Sequence, residues 1–190
     1  MACWGLRYRE KRRKRKKKNR KSRRFREFVA VVIKQCQPQD IETIYTVINE
    51  AAEAYRGVIP TDCYHEPYMS IGELSREMEE MSFFGWQDEG QLVGVMGFQR
   101  VKDVTLIRHA YVITSLQGRG IGSKLLNYLK SLCETQRLLV GTWADAFWAV
   151  AFYEKHGFRL LPDKDELLRT YWWITDRQRE TSIVLGLELS

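Results

Sequence analysis

The sequence predicts a mixed α/β domain, a mostly antiparallel central sheet flanked by helices on both faces. Three observations point to it. Strand-type segments joined by tight turns occupy the middle of the chain, and a strand, helix, strand, helix, strand series follows them. Between the two, near residue 121, the apolar period changes from two to about 3.6.

Taken in order, the β-branched run at residues 29–33 reads as a strand, closed by the turn-prone Gln37-Pro38-Gln39. Asp40 is then a candidate N-cap for a helix with Ile41, Ile44, Tyr45, Val47, Ile48, Ala51 and Ala52 on its apolar positions, ending before Gly57 and Pro60. A loop and a short helix carrying Tyr64, His65 and Tyr68 are expected next, then a charged helix over 71–81. Residues 83–87 and 92–101 form a hairpin whose turn, Asp88-Glu89-Gly90, suits a three-residue connection. A strand over 104–112 precedes a helix with Leu125, Leu126, Leu129, Leu132 and Cys133 on one face. Residues 138–143 read as a buried strand, 147–156 as a helix terminated by Gly157, and 182–189 as a last strand after a polar, partly irregular stretch.

Charge divides the chain. Of its 31 Lys and Arg, 15 lie within residues 7–26 against the single acid Glu10, a local charge of +14; residues 27–190 hold 16 basic and 23 acidic groups, a net −7. The domain proper is therefore acidic, which excludes a uniformly basic nucleic-acid-binding face on it. Residues 1–27 read as a basic, disordered arm, and 28–190 as the folded domain. The arm is either a true basic tail, able to neutralise phosphates of a nucleic acid, or an upstream mistranslation ahead of a valine-type start near residues 29–32. Cys3, Cys36, Cys63 and Cys133 have neither disulfide-framework nor zinc-site spacing, so no metal is expected and a reducing compartment is the default. No stretch has the ~20 apolar residues of a membrane span, and the domain is expected to be cytoplasmic.

The chemistry concentrates in Val112-Ile113-Thr114-Ser115-Leu116-Gln117-Gly118-Arg119-Gly120-Ile121-Gly122. Three glycines at a strand-to-helix junction let backbone approach a ligand while the first helical N–H groups stay unpaired, an anion site suited to a diphosphate, with Arg119 as a mobile counter-charge. Neither the dinucleotide fingerprint nor a Walker loop matches this glycine spacing. Taken alone, the loop reads equally well as a tight connector.

With its context, the sequence resembles the Gcn5-related N-acetyltransferase (GNAT) family, in its bacterial and archaeal small-molecule type. The family's acetyl-CoA loop, Gln/Arg-x-x-Gly-x-Gly/Ala, is matched by Gln117, Gly120 and Gly122, and its downstream aromatic pair and glycine by Phe152-Tyr153-Glu154-Lys155-His156-Gly157-Phe158. The resemblance spans residues 29–190 and leaves the arm outside. It implies an acyl-CoA N-acyltransferase fold with splayed parallel strands either side of the Gly loop, and acetyl-CoA as cofactor. The backbone of Ala110, Tyr111 and Val112 would pair with the pantetheine amides, as in strand addition. The amides of Gly118, Arg119, Gly120, Ile121, Gly122 and Ser123 would hold the pyrophosphate. Tyr153 falls at the general-acid position, where a phenol of pKa about 10 can protonate a thiolate leaving group of pKa roughly 8.5; it also reads simply as a helix residue packing beside Phe152. Homodimers are common among relatives.

The base is where the sequence departs from the family. The usual inward positions are Leu106, Arg108 and Gly141, none a conventional base, and Ala146 stands where relatives carry Asn. His109 should face away by strand alternation unless a bulge intervenes. Glu50, Glu53, His65, Glu66 and Asp145 are further candidates, each of which also reads as a solvated or satisfied side chain. Arg108 is either a two-pronged clamp for an acceptor carboxylate or the partner of a nearby Glu. Among the dense aromatics, Tyr68 and Trp143 are candidate walls of an acceptor pocket, with Tyr64 and His65 beside them. The function expected is acetyl-CoA-dependent acetylation of the primary amine of a small, amino-acid-like molecule. The alternatives are a peptide or protein amine as acceptor, or a nucleic-acid- or ribosome-associated protein tethered by the arm.

Overall fold

A computed structural model of the chain describes residues 32–189. The basic arm, the alternative start and the first three residues of the expected 29–33 strand lie outside the described residues. Among the described residues seven strands form one sheet in the order β1-β2-β3-β4-β5-β7-β6. They are β1 (Val32–Gln35), β2 (Ser82–Asp88), β3 (Gln91–Val101), β4 (Val104–Val112), β5 (Arg137–Trp143), β6 (Arg159–Leu160) and β7 (Ser182–Glu188). Every neighbouring pair is antiparallel except β4 and β5, which run parallel.

Strand alternation sorts the core into two layers. On one face Phe84, Met96, Ile107, Leu138, Val140 and Leu185 pack against α3 (Ile121–Leu132) and α4 (Phe147–Lys155). Leu125, Leu126 and Leu129 of α3 are fully buried, and each stabilises this layer by about 2 kcal/mol relative to exposure. The expected stripe stops there, because Leu132 is 38% exposed and Cys133 lies past the helix end. On the other face α1 (Ile41–Ala52) and α2 (Ile71–Glu80) cover Phe83 and Val95, while α5 (Lys164–Tyr171) covers Leu106, Leu139 and Val184.

Local chemistry differs from the sequence reading in four places. Asp40 precedes α1, but its carboxylate accepts from the Gln37 amide and the Lys34 ammonium instead of capping the helix. The hairpin turn has two residues, not three: Asp88 pairs with Gln91, and Glu89 and Gly90 both have positive φ, as a type I′ turn demands. Residues 61–70 form turns and bends instead of a short helix. Asn49 holds that segment to α1, donating to the Met69 carbonyl at 3.0 Å and accepting from its amide at 3.0 Å. The polar stretch before β7 contains β6, α5 and α6 (Asp176–Thr181), the last begun by a Thr175–Gln178 capping box.

Candidate active site

The cleft exists because β4 leaves β5. The two strands pair only at Thr105–Leu138, Leu106–Leu139 and Ile107–Val140, while β4 continues to Val112 and β5 to Trp143. The departure coincides with a bulge. Val95 pairs with Tyr111 and Gly97 with Arg108, so His109 and Ala110 together oppose Met96. His109 takes φ = 48°, a left-handed backbone uncommon for a residue with a side chain. The extra residue turns His109 onto the same face as Arg108, which is the exception that simple alternation left open.

Glu77 of α2 meets both. Its Oε1 accepts from Arg108 Nη2 at 2.8 Å, and its Oε2 lies 3.3 Å from His109 Nε2, with all three side chains largely buried. Burial pushes the Glu77 carboxyl up, but His109 and Arg108 together outweigh it and hold the group below its usual range. Arg108 donates again to Gln99 Oε1 at 3.1 Å, and His109 stacks on Phe83 at 5.7 Å. Of the two readings of Arg108, the geometry contains the ion pair. Sequence reasoning missed Glu77, although Leu74, Glu77, Met78 and Met81 have the spacing of one inward helical stripe.

Past the bulge, a short 3-10 turn (Thr114–Leu116) leads into the Gly loop. Gln117 Nε2 donates to the Val112 carbonyl at 3.0 Å and ties the loop back to the end of β4. Gly120 is the N-cap of α3 at φ = 81°, with no side-chain cap and open space where a Cβ would stand. The first backbone bond of the helix runs from Lys124 N to the Gly120 carbonyl, so the amides of Ile121, Gly122 and Ser123 precede the helical ladder. Arg119 is exposed beside them. Ser123 Oγ lies 2.9 Å from His156 Nε2, a histidine whose pKa is lowered by burial and by Lys130 and Lys155. These donors and the unpaired edge of β4 at Ala110, Tyr111 and Val112 suit a ligand that carries both amides and a diphosphate. An open hollow between the β2–β3 tip and the 3-10 turn is lined by Asp88 and Glu89 as well as by Ile113, Ser115 and Leu116, and its two acids oppose such an anion.

Tyr153, on α4, is 4% exposed, and burial pushes its phenol well up, with Tyr55 as the second contributor. Tyr111 is raised by burial too, with the Tyr68, Tyr55 and Tyr153 phenols beside it. Around this group the rings form a roof. Tyr55 stacks on Tyr68 at 5.6 Å and meets Tyr111 edge-on at 6.3 Å; Tyr68 meets Tyr111 at 6.4 Å. Two contacts join the segment after α1 to the β5 side: Trp143 Nε1 donates to the Tyr68 hydroxyl at 3.2 Å, and Trp148 lies 5.5 Å from Tyr55. Tyr68 and Trp143, named from sequence, are thus in direct contact, and Tyr64 joins them through Tyr68 at 5.9 Å. The sequence does not single out Tyr55 or Trp148; their contact spans 93 positions and has no local signal.

The remaining acid–base candidates have other occupations. Glu50 accepts from the Thr114 amide with both oxygens, at 3.1 and 2.9 Å. Glu53 and Glu66 both pair with Arg56, while His65 and Asp145 are exposed. Leu106 is wholly buried, and the indole of Trp172 would lie 3.3 Å from a Cβ placed on Gly141. Ala146, in the register of the family's Asn, is buried.

The profile of the GNAT acetyltransferase family matches residues 44–158, more than half of the sequence. The chain belongs to this family. Acetyl transfer with acetyl-CoA as donor is the family's chemistry, and the GNAT fold is also that of its structural neighbours. One is the PaiA N-acetyltransferase of Thermoplasma acidophilum, solved with coenzyme A (TM-score 0.66, 17% identity, covering 85% of this chain and 100% of that one). A GNAT-family acetyltransferase from Staphylococcus aureus Mu50 gives 0.67 at 16% identity, again over 85% and 100%. The ribosomal-protein-S18-alanine N-acetyltransferase of Escherichia coli gives 0.62 at 20% identity, over 85% and 95%. No curated protein matches the sequence. Among the described residues no helix is long and apolar enough to cross a membrane, and no group of three His, Cys, Asp or Glu is placed to hold a metal ion.

Proposed function

We propose that this GNAT enzyme acetylates the primary amine of a small molecule that binds beneath the roof of Tyr55, Tyr68, Trp143 and Trp148. The observation that carries the proposal is the bridge from Tyr68 to Trp143 at 3.2 Å, which favours a compact acceptor under it over a polypeptide laid along an open groove. Arg108 is occupied by Glu77 and Gln99 and is not free to clamp an acceptor carboxylate.

Acetyl-CoA supplies an activated acetyl thioester. The edge of β4 at Ala110, Tyr111 and Val112 offers backbone groups to the pantetheine amides, and the amides of residues 118–123, with Arg119, face the diphosphate. Gln117 keeps the loop in place from the Val112 carbonyl. Tyr153 stays protonated because burial opposes the phenolate, which leaves it a hydrogen-bond donor to the departing sulfur. Acetyl-CoA should raise the melting temperature, and a free-thiol assay over small amines, amino acids and peptides should find turnover with small acceptors. Tyr153→Phe should lower kcat about 100-fold, the low end of general-acid catalysis, with the acetyl-CoA KM unchanged. Turnover confined to protein substrates would overturn the small-acceptor reading.

A further inference from the structure

Beside the Gly loop, α3 and α4 meet through a serine and a histidine that lie outside the thioester chemistry. Ser123, in the first turn of α3, has its Oγ 2.9 Å from Nε2 of His156, the C-cap residue of α4. Phe152, one turn earlier on α4, packs against the imidazole with ring centroids 4.8 Å apart, and its edge would lie 3.4 Å from a Cβ on Gly122. Packing from both helices thus holds the imidazole beside the serine. Burial first, then the charges of Lys130 from α3 and Lys155 of α4, oppose protonation of His156. Lys124, which follows Ser123, is engaged elsewhere, over the Trp86 ring at 4.9 Å.

A serine hydroxyl has one proton to give. When Nε2 is bare, that proton goes to the imidazole and only lone pairs remain for an anion. When Nε2 carries hydrogen it donates to Oγ, and the serine proton is free for a phosphate oxygen. We propose that His156 is a positioning residue for the donor: by donating to Ser123 it turns the serine hydroxyl onto the diphosphate of coenzyme A, and it takes up a proton from solvent as that diphosphate binds. The inference rests on the proposed placement of the diphosphate at residues 118–123 and deepens it. The imidazolium has hydrogen on both ring nitrogens, so it is the form that always donates. A bound diphosphate offsets the charges of Lys130 and Lys155 and favours that form; by linkage, the protonated enzyme holds the cofactor more tightly. The tightening grows as pH falls through the histidine range and is complete below the value of the empty site, which lies under the ordinary 6.5.

The test is calorimetric titration of the full chain with dephospho-coenzyme A between about pH 5.5 and about pH 7.5. This probe has the diphosphate but not the phosphate monoester, whose own second pKa of about 6 titrates in the same window. Wild-type affinity should rise about three- to tenfold from the upper to the lower pH, with a fraction of a proton taken up per molecule bound, read from the heats in two buffers of different ionisation enthalpy. His156→Gln retains a donor that cannot titrate, so its affinity should vary by less than about twofold and its proton uptake should vanish. Ser123→Ala keeps the backbone amide and the imidazole but not the hydroxyl between them, and should lose most of the rise as well. Flat wild-type affinity without proton uptake would overturn the inference, and that measurement needs no variant. An undiminished rise in His156→Gln would assign the proton to another group, such as His109, and an undiminished rise in Ser123→Ala would make His156 a bare charge; either overturns the positioning role. Binding of coenzyme A but not of dephospho-coenzyme A would overturn it too, since the diphosphate would then not be what is held. All these outcomes leave acetyl transfer intact. Failure of both coenzymes to bind, with no rise in melting temperature from acetyl-CoA, would instead overturn the acetyl-transfer reading itself.

Discussion

At its bulge β4 is held by side chains: Glu77 grips Arg108 and His109 from α2, Gln99 takes a second Arg108 nitrogen, and Phe83 lies under the imidazole. A few residues on, past Val112, the glycines themselves are held by few: Glu50 and His156 fasten only the flanks at Thr114 and Ser123, Gln117 ties the loop back once, and the N-terminus of α3 has no side-chain cap. Both places depart from regular backbone, yet they are stabilised in opposite ways. At the bulge an unusual φ must persist without a ligand, so the protein surrounds it with partners. At the loop the backbone donors are kept available for a ligand, and glycine provides the conformation with no group in the way.

The largest effect should come from breaking the bulge side. Glu77→Gln leaves Arg108 and His109 without their carboxylate in a region where Arg108, His109 and Glu77 are 22%, 14% and 18% exposed. Removing one partner of a fully buried pair costs 3–5 kcal/mol; with this partial exposure about 2 kcal/mol is expected, or roughly 4–8 °C in Tm. The pH dependence has a definite sign. Because the folded-state pKa of Glu77 is lowered, its contribution is complete above the ordinary glutamate value of about 4.3 and fades as pH falls through the folded value. Denaturation curves of wild type and variant should therefore differ by a constant amount at neutral pH and converge below about pH 4. A rise in acetyl-CoA KM would mean that the lock also sets the splay of the strands, whereas an unchanged KM would make the two regions independent.

The same contrast governs what the sequence made legible. The Gly loop and the Phe152-Tyr153 segment are local patterns in which residue type and backbone role coincide, and the structure has the strand-to-helix junction where those residues lie. Long amphipathic elements such as α1 and α3 are equally readable, since their burial follows their own periodicity. The bulge is not, because a slip between β3 and β4 is decided by what Gly97 and Met96 pair with, and no property of His109 alone announces φ = 48°. Residues 61–70 evade a local reading for a similar reason: Asn49 and the aromatic contacts shape the segment more than helix propensity does. Helices α5 and α6, eight and six residues long, are too short for a periodic signal; Leu167, Leu168 and Trp172 find their places on the sheet.

On the loop side, Gly120→Ala tests whether conformation or space is what glycine supplies. There is open room for the new Cβ, so the expected penalty is the left-handed backbone itself, about 1–2 kcal/mol. Part of this appears as lost stability and part as misaimed amides. Acetyl-CoA affinity, measured by calorimetry, should fall by up to about tenfold, with acceptor KM unchanged at saturating acetyl-CoA. Unchanged affinity would show that residues 121–123 hold their geometry without the glycine turn.

The smallest expected effect separates the acceptor roof from both regions. Trp143→Phe keeps an aromatic ring at the end of β5 but removes the donor to the Tyr68 hydroxyl, the one hydrogen bond assigned to that bridge. A neutral hydrogen bond is worth about 1 kcal/mol, and Tyr111 remains as a hydrogen-bond partner of the Tyr68 hydroxyl. Because Tyr55 and Trp148 still touch, the roof should loosen without opening, and global stability should change by less than about 1 kcal/mol. Loosening a roof over the acceptor changes how well that substrate is held and not how the thioester is activated. The variant should thus show about a fivefold higher acceptor KM at nearly constant kcat, with the acetyl-CoA KM unmoved. If kcat and the acetyl-CoA KM changed together while acceptor KM did not, the bridge would belong to the thioester side of the cleft, and the division between a backbone-built donor half and a side-chain-built acceptor half would fail.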